Sequence, residues 1–245
     1  MKLTILGSGT CVPSVKRASP SIYLEIKDKK ILLDIGPGSL RQLAKVSPQA
    51  YQKLDIVFIS HRHTDHISDL RPLVQALNWT PGFTRRKKLN IVAHQKTKPF
   101  INSTLKESIY FKSVFYSMKK TKQIINGIKF ETIQGNHNET SLIVKITYNK
   151  KTIVYTADTD YNPDLSLIAN KCDLLITENS FPAPMQAEGH LNSFQAAEMA
   201  TLVEAKKLLL THFYPPADTV DIRKQVQSIY KGPIILAKDL LIIKL

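Results

Sequence analysis

The sequence predicts an α/β protein, a four-layer αββα sandwich in which two mixed sheets pack face to face with helices outside. Three observations predict it. The first half of the 245 residues is strand-rich with one or two helices, and the second half repeats that recipe. Neither half shows the regular βαβα alternation of a doubly wound sheet. No repeat, low-complexity tract or linker marks a boundary, so residues 1–245 are expected to form a single domain.

The elements follow in order. MKLTILG reads as a strand, and SIYLEIKDKKILLDIG as a hairpin turning at Asp28-Lys29-Lys30. A helix is expected from Ser39 to about Val46. LDIVFIS (54–60) is apolar and rich in β-branched residues, which predicts a buried strand. ISDLRPLVQALNW has apolar residues at 67, 70, 73, 74 and 77, a helical spacing, with Pro72 early enough to be tolerated. Strands are expected at LNIVA, IKFETIQ, TSLIVKITYN, KTIVYTA, DLLITEN and KKLLLTHF. SFQAAEMATLVEA reads as a helix with Ser193 as its N-cap. The tail gives a helix from Thr219 to Tyr230 and two short strands, PIILA and LLIIKL.

Composition narrows the class. Hydrophobic residues make up 43% and charged residues 22%, ordinary for a globular protein able to build a core without disulfides. The two cysteines, Cys11 and Cys172, lie far apart in apolar patterns with no ligand spacing, and read as reduced, partly buried thiols. The N-terminus lacks the apolar core of a signal peptide, and no apolar run reaches the ~18 residues of a membrane span. The expected location is cytoplasmic, with no membrane partner. Charge is the outlier: 34 Lys+Arg against 20 Asp+Glu give a formal net charge of +14. Such a field attracts anionic substrates and polyanions, although a lysine-rich surface also serves solubility.

SHRHTDHISDL (60–70) holds three of the seven histidines within six positions. Chance clustering on a turn is the plain reading, and a metal site the sharp one. His61, His63, Asp65 and His66 follow a buried strand and precede a helix, where a rigid scaffold commonly holds binding groups. In an extended segment His-x-His points both imidazoles the same way. One metal could not easily take all four from so tight a loop, but two could share them. His137, Asp158 and His212 each stand where an apolar strand runs out into a polar loop, so one edge of the core could present them together. Mixed imidazole and carboxylate donors suit zinc, with manganese or iron as alternatives.

This ordered set, His-x-His-x-Asp-His, a later single His, an Asp after an apolar strand and a His in LTH, resembles the metallo-β-lactamase superfamily. LGSGT, ILLDIGPG and TADT make it similar to the ribonuclease Z-like branch, over nearly the whole chain. The resemblance implies the metallo-β-lactamase fold and two divalent metal ions. His61, His63 and His137 would hold one metal, Asp65, His66 and His212 the other, with Asp158 bridging. Asp34 resembles a carboxylate that orients a ligand imidazole; a turn-capping Asp is the plainer reading. His190, in EGHLNSF, matches a histidine that contacts the scissile phosphate. Glu178, in LLITENSF, resembles its acidic partner, although Thr177 replaces the histidine expected before it; a solvent-facing carboxylate is the alternative. His94 matches nothing and reads as structural.

The implied chemistry is hydrolysis of an anionic phosphodiester substrate, with Asp65, His190 and Glu178 as the catalytic set. Ribonuclease Z enzymes that process tRNA 3′ ends carry a long arm between the single His and the bridging Asp. Here His137 and Asp158 are 21 residues apart, which is room for one hairpin. The chain therefore resembles arm-less relatives acting on small cyclic phosphates. A ribonuclease Z-type endonuclease acting on tRNA is the alternative, and a non-catalytic nucleic-acid-binding protein a remoter one. The basic stretches TRRKKL (84–89) and SMKKTK (117–122) could touch RNA backbone or be solvated loop charge, without interleaved aromatics for base stacking. Weak RNA binding and a homodimer stay open. An exported β-lactamase would carry a signal sequence, and an oxidoreductase of this fold would add a flavin domain for which the chain is too short.

Overall fold

The computed structural model describes residues 1–106, 113–117 and 122–245. The chain forms two compact units, each built around one seven-stranded mixed sheet. The first comprises Met1–Gly7, Pro13–Lys119 and Asp239–Lys244. Its strands are β1 (Lys2–Gly7), β2 (Ser21–Ile26), β3 (Lys29–Leu33), β4 (Ile56–Ile59), β5 (Leu89–Ala93) and β6 (Ser113–Ser117), completed by the C-terminal Ile242–Lys244 (β14). The order is β14-β1-β2-β3-β4-β5-β6, antiparallel as far as β3 and parallel from β3 to β6. The helices are α1 (Ser39–Val46), the single turn α2 (Thr64–Ile67), α3 (Leu70–Trp79) and α4 (Lys98–Leu105).

The core of this unit follows from periodicity. Leu32, Val57, Ile59 and Ile91 form one apolar cluster with Leu43 of α1, Leu70, Leu73, Val74 and Leu77 of α3, and Ile101 of α4. The i, i+3, i+4, i+7 spacing on α3 puts those side chains on one face, and all four are fully buried.

The second unit comprises Ser8–Val12, Lys120–Lys238 and Leu245. Its strands are β7 (Lys122–Ile125), β8 (Ile128–Gln134), β9 (Leu142–Tyr148), β10 (Lys151–Tyr155), β11 (Leu174–Glu178), β12 (Leu208–Thr211) and β13 (Ile234–Leu236). The order is β13-β12-β11-β10-β9-β8-β7, parallel from β13 to β10 and antiparallel beyond. Helices α5 (Ser166–Ala169), α6 (Ser193–Leu202) and α7 (Ile222–Gln227) accompany it. Two mixed sheets with flanking helices are the α/β class expected. Among the described residues no helix is long and apolar enough to cross a membrane.

Several boundaries differ from expectation. Asn192, not Ser193, caps α6. Its side chain accepts from the amides of Phe194 and Gln195, while the Gln195 side chain returns to the Asn192 amide. Both residues are good caps, and the glutamine three positions on selects Asn192. The first hairpin turns at Lys27-Asp28, with Lys27 at positive φ, because that register sets Leu24 against Ile31 and Ile22 against Leu33. The helix expected from the 67–79 stretch begins at Leu70 as α3, and a separate turn, α2, precedes it. The tail helix is shorter than 219–230, since Pro215–Thr219 forms a separate 3₁₀ turn. Helix α4 and strands β6 and β7 were not anticipated.

Of the basic stretches, TRRKKL is partly structural. Arg85 is buried and donates to the carbonyls of Gln52, Leu54 and Lys88. Most of SMKKTK lies outside the described residues. His94 accepts from the Lys96 amide through Nδ1 at 3.2 Å, capping a 3₁₀ turn. Cys172 is buried, whereas Cys11 is exposed rather than partly buried.

Candidate metal centre

In open α/β sheets, binding groups gather beyond the carboxyl ends of parallel strands. Both sheets follow this rule. In the first unit Asp34 follows β3, and Ser60 and His61 follow β4. In the second, Asp158 lies beyond β10, Glu178 ends β11, and His212 follows β12.

In the first unit His61, Asp65 and His66 are buried and His63 is half-buried. The rings of His61 and His63 have centroids 4.7 Å apart, and those of His61 and His66 4.2 Å apart. Asp34 organises the group. It is fully buried, and its carboxylate accepts from the Ser60 amide at 2.7 Å and the Ser60 hydroxyl at 2.8 Å. It also lies 2.8 Å from His66 Nδ1. An imidazole facing a carboxylate donates Nδ1–H, which makes Nε2 the basic nitrogen available to a metal. Ser60 Oγ stands 2.9 Å from His61 Nδ1. Asp34 is thus more than a turn cap.

The loop behind Asp34 is stitched to α2. The Ile35 amide donates to the His66 carbonyl at 2.8 Å, and the Asp69 amide to the Ile35 carbonyl at 3.0 Å. Gly36 is required there because a Cβ would stand 1.8 Å from the Asp65 carbonyl oxygen.

In the second unit His137 occupies the turn between β8 and β9, its Nδ1 2.9 Å from the Gly189 carbonyl oxygen. Asp158 is 2% exposed and faces two imidazoles with different oxygens. Oδ1 lies 3.3 Å from His212 Nε2, and Oδ2 lies 4.0 Å from His137 Nε2. Glu178 is 1% exposed, so it is no solvent-facing carboxylate. It accepts from the Thr159 amide at 2.7 Å and stands 3.2 Å from His190 Nδ1. Asp158, His190 and His212 offer ligand atoms all within 4.8 Å of one another. Phe181 and Tyr214 stack at 4.9 Å, and Tyr214 meets the His190 ring at 6.0 Å.

These donors fit divalent metals. Bonds of about 2.1 Å in tetrahedral geometry place donor atoms roughly 3.4 Å apart. His212 Nε2 and Asp158 Oδ1 are 3.3 Å apart, and His66 Nε2 and Asp65 Oδ2 3.6 Å.

The structure thus groups His61, His63, Asp65 and His66 in one unit, and His137, Asp158, Glu178, His190 and His212 in the other. Sequence reasoning missed Ser60 and Ser180. Ser180 Oγ donates to Glu178 and lies 3.0 Å from His212 Nδ1. Their adjacency to a ligand or its carboxylate partner was the only signal.

A family model described as a β-lactamase superfamily domain matches residues 29–213. The probable metallo-hydrolase YhfI of Bacillus subtilis is 30% identical over 98% of both chains. Its crystal structure, described as a metallo-β-lactamase fold protein, aligns with a TM-score of 0.87 and 28% identity over 99% of this chain and 98% of that one. Ribonuclease Z of Archaeoglobus fulgidus is 23% identical over 296 aligned residues, 96% of this chain and 94% of that protein. A diphosphatase from the PhnP family shares the fold with a TM-score of 0.73 and 23% identity, covering 100% of this chain and 97% of that one. Fold and clusters together define a metal-dependent hydrolase of the metallo-β-lactamase fold. The chain belongs to the β-lactamase superfamily and is related to ribonuclease Z.

Proposed function

We propose that the protein is a dinuclear-metal-dependent phosphodiesterase acting on a small or nucleotide-derived phosphodiester. The observation that carries the reading is Asp158, a buried carboxylate whose two oxygens turn towards different imidazoles and which could therefore be shared between two ions. His61, His63 and His137 would hold one ion, Asp65, His66 and His212 the other, and Asp158 would be shared between them. Zinc is the expected metal, with manganese and iron as alternatives. Metals bound there would supply Lewis acidity towards a phosphoryl oxygen and a supply of nucleophilic water at neutral pH.

The remaining steps belong to side chains. Asp65 steers the proton of the attacking water. His190, its Nδ1 held by Glu178, uses Nε2 to donate to a phosphoryl oxygen or to protonate the leaving oxygen. The charge of +14 raises the local concentration of an anionic substrate.

The arm-less form supports a small substrate. The interval from His137 to Asp158 is filled by the β9–β10 hairpin. The alignment to YhfI runs over 246 residues, about this chain's length, whereas that to the archaeal ribonuclease Z runs over 296. Positive charge gives salt-sensitive affinity for RNA, but placing one phosphodiester at the reacting centre needs fixed geometry. The named ribonuclease Z relatives favour tRNA 3′ processing as the second reading. The test is kcat/KM for bis-p-nitrophenyl phosphate, cyclic phosphates and precursor tRNA with one metal-loaded preparation, before and after chelation. Faster, chelator-sensitive turnover of the small diesters is expected, with about two metals per chain. Efficient site-specific cleavage of precursor tRNA would replace the first reading with the second.

A further inference from the structure

Ser180 is fully buried and stands two residues beyond Glu178 at the end of β11. Residues i and i+2 of an extended segment share a face, so both side chains turn the same way. Glu178 pairs with Thr211 across the β11–β12 ladder, and the Asn179 amide donates to the Thr211 carbonyl. This register sets Ser180 beside His212.

Ser180 Oγ meets three groups, Glu178, His212 Nδ1 at 3.0 Å and, more distantly, His190 Nδ1 at 3.4 Å, and with Glu178 ionised the assignment of its proton follows. A carboxylate only accepts, so the single hydroxyl hydrogen of Ser180 goes to Glu178 Oε2. The oxygen then faces His212 Nδ1, 3.0 Å away, as an acceptor. His212 therefore carries its proton on Nδ1, and its basic nitrogen is Nε2, the atom 3.3 Å from Asp158 Oδ1. Glu178 holds His190 by the same ring nitrogen at 3.2 Å. The two imidazoles lie 5.7 Å apart at an interplanar angle of 16°, so both Nδ1 atoms meet one carboxylate, directly or through the hydroxyl.

Resting on the dinuclear reading, we propose that Ser180 is a positioning residue that ties a metal-binding imidazole, His212, to the carboxylate holding His190. It sets the tautomer of His212 and the spacing between the metal and the group that acts on the leaving oxygen. Ser180 Oγ reaches both groups, donating to Glu178 and standing 3.0 Å from His212 Nδ1.

The experiment compares the wild type with Ser180→Ala and Ser180→Thr, using Zn²⁺ or Co²⁺ alone as the probe. Affinity is read by chelator competition, and coordination by the visible absorption of bound Co²⁺. Loss of a hydrogen bond to a ligand imidazole costs about 10–100-fold in metal affinity. Ser180→Ala is therefore expected to weaken one of two metals by that factor and to change its Co²⁺ spectrum. Ser180→Thr, which keeps the hydroxyl, should stay within threefold of wild type. Equal weakening of both variants would mean a packing role and overturn the proposal, as would an alanine variant within twofold of wild type. Should Ser180→Ala not fold, Ser180→Cys, similar in size and a weak donor, takes its place with the same expected loss. A wild type that binds no metal removes the phosphodiesterase reading as well. A wild type with two metals and an unaltered alanine variant removes only this inference.

Discussion

Replacing Asp34 by asparagine separates the architecture of the first cluster from its chemistry. The backbone tolerates the change, since Asp34 has φ 57 and asparagine visits the left-handed region more readily than most residues. Volume is conserved. Oδ1 can still accept from the Ser60 amide, the bond now 2.7 Å long. The other arm, which meets both the Ser60 hydroxyl and His66 Nδ1 at 2.8 Å, becomes an NH₂ group; it can donate to the Ser60 oxygen once that hydroxyl turns, but it faces His66 Nδ1 donor to donor. Two donors cannot share that contact, so His66 moves its proton to Nε2 and accepts through Nδ1. Fold stability then changes little. Metal binding must reverse the tautomer and set two donors against each other in a fully buried place, at about 1–3 kcal/mol. At 1.4 kcal/mol per tenfold, that is roughly a 5- to 150-fold loss of affinity. Asp34→Ala differs: it strands the Ser60 amide and His66 Nδ1–H, at about 2–6 kcal/mol together, a large part of a typical domain's stability. Thermal melting in chelator reads the fold, and Zn²⁺ titration reads the site. Asparagine should melt near wild type and bind poorly, and alanine should melt far lower. An asparagine variant with wild-type metal affinity would refute the assignment of Asp34 as the group that sets the His66 tautomer.

His190→Ala should lower kcat by about 100-fold with metal content unchanged. Because His190 offers a ligand atom within 4.8 Å of those of Asp158 and His212, loss of metal in that variant would make it a ligand instead. Gly36→Ala must push the loop off the Asp65 carbonyl and should cost about 3 kcal/mol, read from a denaturant midpoint; an unchanged midpoint would contradict the close approach. Burial pushes the Cys172 thiol up to about 12, so at pH 8 its thiolate fraction is on the order of 10⁻⁴. Iodoacetamide should label one cysteine, Cys11, in the native protein and two in denaturant. The folded thiol titrates above its unfolded value of about 8.5, so its contribution to stability is complete below that pH and lost as pH rises towards 12. A chemical melt that strengthens between pH 9 and 11 would oppose this.

The ligand histidines were legible because metal binding demands particular residue types beyond strand ends, and strand ends show in apolar runs such as Ile56–Ile59. Their supports were less legible. Ser60 and Ser180 act through distances of 2.5–3.0 Å that depend on neighbouring strands, and serine is common in any loop. Glu178 read ambiguously because nothing local tells a buried strand-end carboxylate from an exposed one. Its burial follows from the flanking strands β10 and β12. The cap of α6 turned on Gln195, a residue inside the helix. Helix α4 has a weak apolar pattern, with only Ile101 and Thr104 buried, so periodicity did not announce it.

The pairing of β1 with β14 has a consequence for how the chain reaches this state. Lys2 lies opposite Lys244, so one sheet joins stretches from almost the whole length of the polypeptide. Its contacts close a very long loop, whereas those of the other sheet come almost wholly from residues 120–238. Loop-closure entropy delays such distant pairings relative to local ones. The second sheet can therefore gather early, while β1, with five buried residues in KLTILG, waits for its outer neighbour. Until Ile242–Lys244 arrives, that strand presents an apolar open edge, the kind of surface on which chains adhere to one another. Refolding yield should fall with protein concentration for this reason, and a chain cut before residue 239 should suffer most.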